Sequence, residues 1–78
     1  MLSPEKIIIE LSNKEALILF EFLSRSDDEN KYRFVDQAEQ RVLWNVECLL
    51  QKQLLEIFAP DYHKLLAYAR EQVRDPLD

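Results

Sequence analysis

The 78-residue chain contains no glycine, and this absence restricts its fold more than any other feature of the sequence. Glycine is the usual residue where a chain needs positive φ, as in tight hairpins and many helix C-caps. The three prolines, Pro4, Pro60 and Pro76, are the remaining strong breaks. Long stretches without a break favour helices. The sequence therefore predicts a single, mainly α-helical domain over residues 1–78, with a frayed tail at 75–78.

The same absence removes several kinds of functional motif. Phosphate-binding P-loops, dinucleotide fingerprints and the nucleophile elbow all need glycine at fixed positions. The net charge of −5 argues against a nucleic-acid-binding protein, because such proteins normally present a basic face to phosphate. The longest apolar runs, such as residues 16–20, are far shorter than the roughly 20 residues that span a bilayer. We therefore expect neither nucleic acid nor a membrane as a partner.

Cysteine usage and the N-terminal region indicate the compartment. Cys48 is the only cysteine, so the chain cannot form an intrachain disulfide. A reducing cytosol is the simpler environment for such a chain. No basic segment leads into a long apolar run near the N-terminus, as a signal peptide would require. The sequence thus predicts a cytoplasmic protein.

Periodicity and capping patterns predict the first half of the fold. Residues 6–11 contain three consecutive β-branched isoleucines, and Ile7, Ile9 and Leu11 alternate with Ile8 and Glu10. Both features favour a short β-strand. The capping box of Ser12 and Glu15 begins a first helix, which runs to about residue 24 or 25 and is followed by a polar loop at 26–30. Residues 31–35 are either a second short strand, giving a small α+β variant, or a loop anchored by its aromatic side chains.

Two further helices complete the predicted architecture of three helices with a short N-terminal strand. Asp36 and Glu39 form a second capping pattern, and the helix that they begin runs to about Ile57. Pro60 ends it, opens the third helix as a first-turn proline, and the third helix ends by about Arg74. The first helix is apolar on almost every side, so we expect it to be buried almost all round. The apolar stripe of the second helix is predicted to face the core: Val35, Val42, Leu43, Val46, Leu49, Leu50, Leu54 and Ile57. The third helix contributes Tyr62, Leu65, Leu66, Ala69 and Val73.

No group of residues in the sequence predicts catalysis. His63 is the only histidine and is separated from Cys48 by a helix break, whereas a zinc site needs three or four convergent ligands. Cys48 lies in the middle of a helix near Lys52, and we expect an inert, half-buried thiol. The 15 acidic residues are explained as helix caps and solvated surface charge. We therefore expect a non-enzymatic protein without a metal, a cofactor or a small-molecule substrate.

Trp44 is not explained by the core stripe of the second helix. On a helical wheel it lies more than about 100° from the centre of that stripe, among polar side chains. Either another part of the monomer covers it, or a partner protein binds there, since tryptophan is enriched at the hot spots of interfaces. The candidate protein interface consists of Trp44, Cys48, Leu55, Arg41 and Gln51.

A non-enzymatic protein–protein interaction module is the function that fits these features best. We expect a homodimer, because the first helix needs more cover than so small a domain supplies. An alternative is an acidic, antitoxin-like or immunity-like inhibitor of a basic protein, with Asp27, Asp28 and Glu29 as its candidate acidic epitope. A less favoured hypothesis is a small DNA-binding domain, resting on a basic stripe of the third helix: His63, Arg70 and Arg74.

Three segments from Leu11 onward carry a recognisable pattern. They are Glu15-Ala16-Leu17 followed by Leu19-Phe20-Glu21-Phe22-Leu23, then Asp36-Gln37-Ala38-Glu39-Gln40-Arg41-Val42-Leu43-Trp44, then Pro60-Asp61-Tyr62. In these segments the chain resembles a group of small bacterial proteins to which no activity is assigned. The resemblance implies a bacterial cytosolic protein and supplies no catalytic or binding residues.

Overall fold

The computed structural model describes residues 5–28 and 33–76, with side chains described for 5–26 and 33–76. Helix α1 spans Asn13–Asp28, α2 spans Gln37–Gln53, a 3₁₀ helix spans Leu55–Phe58, and α3 spans Tyr62–Val73. The predicted mainly helical fold is confirmed. The predicted frayed tail falls partly outside the described residues, at 77–78.

The predicted capping box begins α1. The backbone N–H of Glu15 donates to Ser12 Oγ at 3.0 Å, and the N–H of Ser12 donates to Glu15 Oε1 at 2.9 Å. These bonds use amide groups that have no acceptor within the helix. Hydrogen bonding from the backbone of Ser12, and then from its side chain, lowers the pKa of Glu15 below its usual value. Asn13 Nδ2 also donates to Glu56 Oε2, which ties the start of α1 to the 3₁₀ helix.

Helix α1 continues beyond its predicted end at residue 24 or 25. Residues 26–28 are helical, so the prediction of a loop from Ser26 is wrong for these three residues. No glycine or proline lies between Arg25 and Pro60, so no such residue stops the helix at its predicted end. Ser26 lies on the side of α1 that carries Leu19 and Leu23, and its short side chain is buried there.

Helix α2 begins at Asp36 as predicted, although the cap differs in one bond. Asp36 Oδ1 accepts a 2.8 Å bond from the N–H of Ala38. The carboxylate of Glu39 accepts from the N–H of Val35 at 2.8 Å, one residue before the amide that a regular capping box would use.

Helix α2 ends at Gln53, four residues before the predicted end at Ile57, because the chain turns at Leu54. Leu54 has extended backbone angles, with φ −96° and ψ 99°, and its side chain is buried with Leu17 and Leu66. Burying a leucine side chain stabilises the fold by about 1.5–3 kcal/mol, which offsets the helical hydrogen bonds lost at the turn.

The connection from the 3₁₀ helix to α3 follows from Pro60. Ala59 is extended, with φ −75° and ψ 142°, as the residue before a proline must be. Helix α3 begins at Tyr62 with Asp61 as its N-cap, so Pro60 lies before the helix rather than in its first turn. Helix α3 ends at Val73 with Arg74 as its C-cap, as predicted.

The N-terminal strand is not confirmed. Residues 6–12 and 33–36 have no regular secondary structure, and positions 31–32 of the second predicted strand lie outside the described residues. A strand needs a neighbouring strand to bond its amide and carbonyl groups. The described part of the chain offers no such neighbour, and Ile7, Ile8 and Ile9 are 82%, 87% and 77% exposed.

The core lies where α1, α3 and the turn after α2 meet. Its buried cluster is Leu17, Leu54, Leu66 and Ala69. Both α2 and α3 pack against α1, and they make few direct contacts with each other. Helix α1 is therefore the central element, because both of the other α-helices pack against it.

Burial in this core is less extensive than predicted. Phe22 is exposed, so the prediction that α1 is buried almost all round is wrong. Val73 is also exposed, so the prediction that it faces the core from α3 is wrong. In α2 and the turn after it, Leu54 is buried and four members of the predicted core stripe are half-buried: Leu43, Val46, Leu50 and Ile57. The other three are exposed: Val35, Val42 and Leu49. A single neighbouring helix cannot cover an apolar surface as wide as that of α2.

Candidate functional site

An exposed apolar stripe runs along α2 and includes one residue that lies just before the helix. It consists of Val35, Val42 and Leu49, which are 94%, 57% and 58% exposed, and we call it the α2 stripe. The seven-residue spacing of Val42 and Leu49 places them on one side of the helix, since two turns of an α-helix take about 7 residues. Val35 precedes the extended N-cap Asp36, so it lies just before the helix rather than on it. Scattered single apolar residues on a surface are ordinary, whereas apolar residues aligned in this way make the α2 stripe the leading candidate for an interaction surface.

A groove at the C-terminal end of α2 continues the α2 stripe towards the N-terminal segment. Its volume is about 580 Å³, and it lies between residues 9–11, the start of α1 and the last turn of α2. Its apolar lining includes Ile9, Leu11, Leu49 and Leu50, and Glu10, Asn13 and Gln53 supply polar surface beside them. The groove thus joins Ile9 of the N-terminal segment to Leu49 of the α2 stripe.

A second groove, of about 490 Å³, lies at the other end of the α2 stripe. Phe34, Val42 and Leu43 supply its apolar lining, and Arg33 and Glu39 stand at its edge. Apolar surface therefore extends along the whole length of α2, with charged side chains beside it. This arrangement of an apolar centre and a polar rim is the usual anatomy of a protein interface.

The predicted Trp44 interface is only partly assembled. Trp44, Arg41, Cys48 and Gln51 share one side of α2 at helical spacing, and the guanidinium carbon of Arg41 lies 5.0 Å from the centre of the Trp44 ring. The Trp44 side chain is half-buried, whereas the other three are exposed. Trp44 itself lies about 140–160° around the helix from Val42 and Leu49.

Leu55 does not belong to the Trp44 side of α2. The prediction that grouped Leu55 with Trp44 assumes that the second helix continues to Ile57. In the structure α2 ends at Gln53, and Leu55 begins the 3₁₀ helix. Leu55 and Phe58 are 77% and 75% exposed, so the 3₁₀ helix carries its own small apolar surface.

The residues considered for chemistry do not converge in the described structure. Cys48 is exposed, so the prediction of a half-buried thiol is wrong. His63 is also exposed, and the described residues contain no group of three or more histidine, cysteine or acidic side chains that could hold a metal ion.

In the basic stripe of α3, Arg70 is half-buried, and its carbonyl accepts a 3.3 Å bond from Nε of Arg74, which ties that arginine to the end of α3. The side chains of the candidate acidic epitope, residues 27–29, lie outside the described residues.

The α2 stripe is the surface that the sequence reasoning missed, because all its members were assigned to the core. A signal was present in the helical wheel. Val42 and Leu49 lie about 100° from the half-buried pair Leu43 and Leu50. An apolar arc this wide on a helix with one neighbour leaves one edge uncovered.

Comparison with known proteins adds no relative, since no family model, no curated protein and no solved structure matches the chain. Among the described helices, none combines the length and apolar character needed to cross a membrane.

Proposed function

We propose that this protein is a non-enzymatic protein–protein interaction module that functions as a cytoplasmic homodimer. The exposed α2 stripe is the observation that carries the proposal, and the accessible surface of the chain supports it. This accessible surface amounts to 7022 Å², whereas a compact monomer of 9.3 kDa exposes about 5,000 Å². The radius of gyration, 14.7 Å, likewise exceeds the value of about 11.5 Å for a compact domain of this length.

The excess surface, to which the segments without regular secondary structure at residues 5–12 and 33–36 contribute, is large enough to include what a second copy would bury. It is about 2,000 Å² per chain, and obligate homodimers bury about 1,000–2,500 Å² per subunit. A monomeric domain of this size is near the lower limit for an independent core, and dimerisation is a common way to complete it. The region offered for burial is the α2 stripe with the adjoining Ile9 and Leu11.

The exposed thiol of Cys48 supports a reducing compartment. An accessible cysteine without a second one in its chain would form intermolecular disulfides under oxidising conditions. A cytoplasmic location avoids this reaction.

Sedimentation equilibrium of the full chain at micromolar concentration tests the proposal, with Leu49→Lys as the decisive variant. We expect the native chain to sediment as a dimer. Leu49→Lys places a charge on the α2 stripe and raises the dissociation constant at least about tenfold, because both copies lose a buried leucine. The matched control is Gln51→Lys, which adds the same charge two residues away, on the Trp44 side of α2. We expect it to leave the dimer intact. A native chain that sediments as a monomer would overturn the homodimer, and a dimer weakened only by Gln51→Lys would place its interface on the Trp44 side.

A further inference from the structure

The N-terminal segment at residues 6–10 carries three consecutive isoleucines between two charged residues, and all five are exposed. Its three isoleucines are more exposed than nearly all other large apolar residues described. Within the described residues, the backbone of 6–11 makes no hydrogen bond to the rest of the chain. β-branched residues favour extended backbone, and an extended segment in this state presents a free edge for pairing with another strand.

The charges of this segment are arranged symmetrically about Ile8. Lys6 precedes it by two residues and Glu10 follows it by two, so the segment reads basic, three isoleucines, acidic. When two copies are laid antiparallel with Ile8 opposite Ile8, each lysine faces a glutamate of the other copy, and Ile7 faces Ile9. A parallel, in-register pair would instead place lysine opposite lysine and glutamate opposite glutamate.

We propose that residues 6–10 of two copies pair as an antiparallel two-stranded β-ribbon whose two-fold axis passes through the Ile8 pair. The inference rests on the homodimer proposed above and specifies how its N-terminal segments meet. Opposite charges directly across antiparallel strands are favourable, and like charges are unfavourable. The sequence of the segment therefore selects a second copy of itself, in one direction and one register. The strand predicted from residues 6–11 forms in the dimer, where its neighbour is the same segment of the other chain.

The position of the segment beside α2 supplies the packing that such a ribbon needs. A two-stranded ribbon alone is marginally stable in water and requires an apolar surface beneath it. Ile9 and Leu11 line the groove that also contains Leu49 and Leu50. In an extended segment Ile7 lies on the same side as Ile9 and Leu11, since alternate residues share a face. The ribbon would thus rest with its more apolar side on the α2 region, and carry Ile8 between its two charge pairs on the other side.

Charge exchange at residues 6 and 10 tests the register. Lys6→Glu or Glu10→Lys alone creates two like-charge pairs in the homodimer, and we expect the dissociation constant to rise about tenfold in low salt. An equimolar mixture of the two variants restores two opposite-charge pairs, so it forms heterodimers with the native affinity. The double variant with both changes also dimerises as the native chain does.

The matched control uses two exposed residues of α3 with the same changes in net charge. Lys64→Glu and Glu71→Lys alter the chain by the same two units and lie outside the segment. We expect neither single control to weaken the dimer and their mixture to show no preference for heterodimers. A preference as strong as that of the residue 6 and 10 pair would show a general charge effect and overturn the proposed register.

Oxidative cross-linking tests the axis in a Cys48→Ser background. Directly opposed residues of antiparallel strands have Cβ atoms about 4.5–5.5 Å apart, close to disulfide range, whereas an offset of four residues adds about 13 Å. Ile8→Cys therefore gives a covalent dimer on mild oxidation, and Lys6→Cys alone does not. Lys6→Cys mixed with Glu10→Cys cross-links only in the mixture.

The outcomes separate this inference from the proposed function. A native chain that is monomeric by sedimentation removes the homodimer and the ribbon together. A native dimer that is indifferent to the charge variants, or that cross-links equally through residues 6 and 8, keeps the homodimer and overturns the ribbon.

Discussion

The Tyr62 hydroxyl donates a 2.8 Å hydrogen bond to Oε2 of Glu21 and so joins the first turn of α3 to the middle of α1. Burial is the main cause that raises the pKa of Tyr62 to about 12, followed by this bond and the negative charge of Glu21, while Arg70 acts in the opposite direction. The neutral hydroxyl is therefore the form that the folded state prefers.

Tyr62→Phe keeps the ring and removes this bond, and we expect it to lower the free energy of unfolding by about 1 kcal/mol at pH 7. The folded-state pKa lies above the unfolded value of 10.0, so the contribution of Tyr62 is complete below pH 10 and is lost as the pH rises towards 12. Thermal melts of both proteins should converge over that interval. Tyr68→Phe, at an exposed position, is the control. A difference that stays constant from pH 7 to 12 would contradict the role of the hydroxyl.

The capping box gives a prediction at acidic pH. Ser12→Ala removes the side-chain acceptor for the Glu15 amide and should destabilise the fold by about 1 kcal/mol. Because the folded-state pKa of Glu15 is lowered, the stability that its ionised carboxylate contributes is present above the usual pKa of a glutamate, 4.5, and is lost as the pH falls through the folded-state pKa.

Glu15→Gln separates the charge from the geometry of this cap, since its amide oxygen can still accept from the Ser12 N–H. Chemical denaturation from pH 7 down to pH 3 should show a steeper loss for the native chain than for Glu15→Gln. Parallel curves for the two proteins would mean that the carboxylate is not stabilised by Ser12.

Leu54 and Leu55 are adjacent leucines with opposite environments, 3% and 77% exposed. Leu54→Ala leaves a cavity among Leu17, Leu66 and Ala69 and should cost about 2–5 kcal/mol, enough to unfold a domain this small at 37 °C. Leu55→Ala should change the free energy of unfolding by less than about 0.5 kcal/mol. Urea denaturation followed by circular dichroism measures both. Equal effects would show that the chain does not turn at Leu54.

Trp44→Ala decides between the two sides of α2 as the dimer interface. We expect it to lower the stability of the protein by about 1–3 kcal/mol, because it removes a half-buried ring and its contact with Arg41. The dissociation constant of the dimer should change by less than about threefold, since Trp44 lies away from the α2 stripe. Sedimentation and thermal melting of the same samples supply both quantities. A weakening of the dimer by about 2 kcal/mol with unchanged melting would identify Trp44 as the interface anchor.

The sequence predicted those parts of the fold that depend on local chemistry. The helix starts at Ser12 and Asp36 follow from side chains that bond amide groups two or three residues away. The end of α3 before Pro76 is similarly local. The turn at Leu54 was not predictable in this way, because no local signal interrupts the helix there. It depends on contacts with Leu17 and Leu66, which are distant in the sequence.

The candidate interface shows the same division. Helical spacing groups Trp44 with Arg41, Cys48 and Gln51, and all four positions lie within α2. It could not show which apolar side of α2 meets α1, since that choice depends on how the helices pack. The exposure of Val42 and Leu49 therefore emerges only from the structure.

The central position of α1 also has a consequence for how sequence change can accumulate in this protein. Helices α2 and α3 each face one long neighbour, so a compensating substitution in α1 can accommodate a change in either of them without involving the other. A change in α1 must suit both neighbours at once. Substitutions should therefore be tolerated least in α1, whereas positions of α2 and α3 that lie outside both the core and the α2 stripe can change independently of each other.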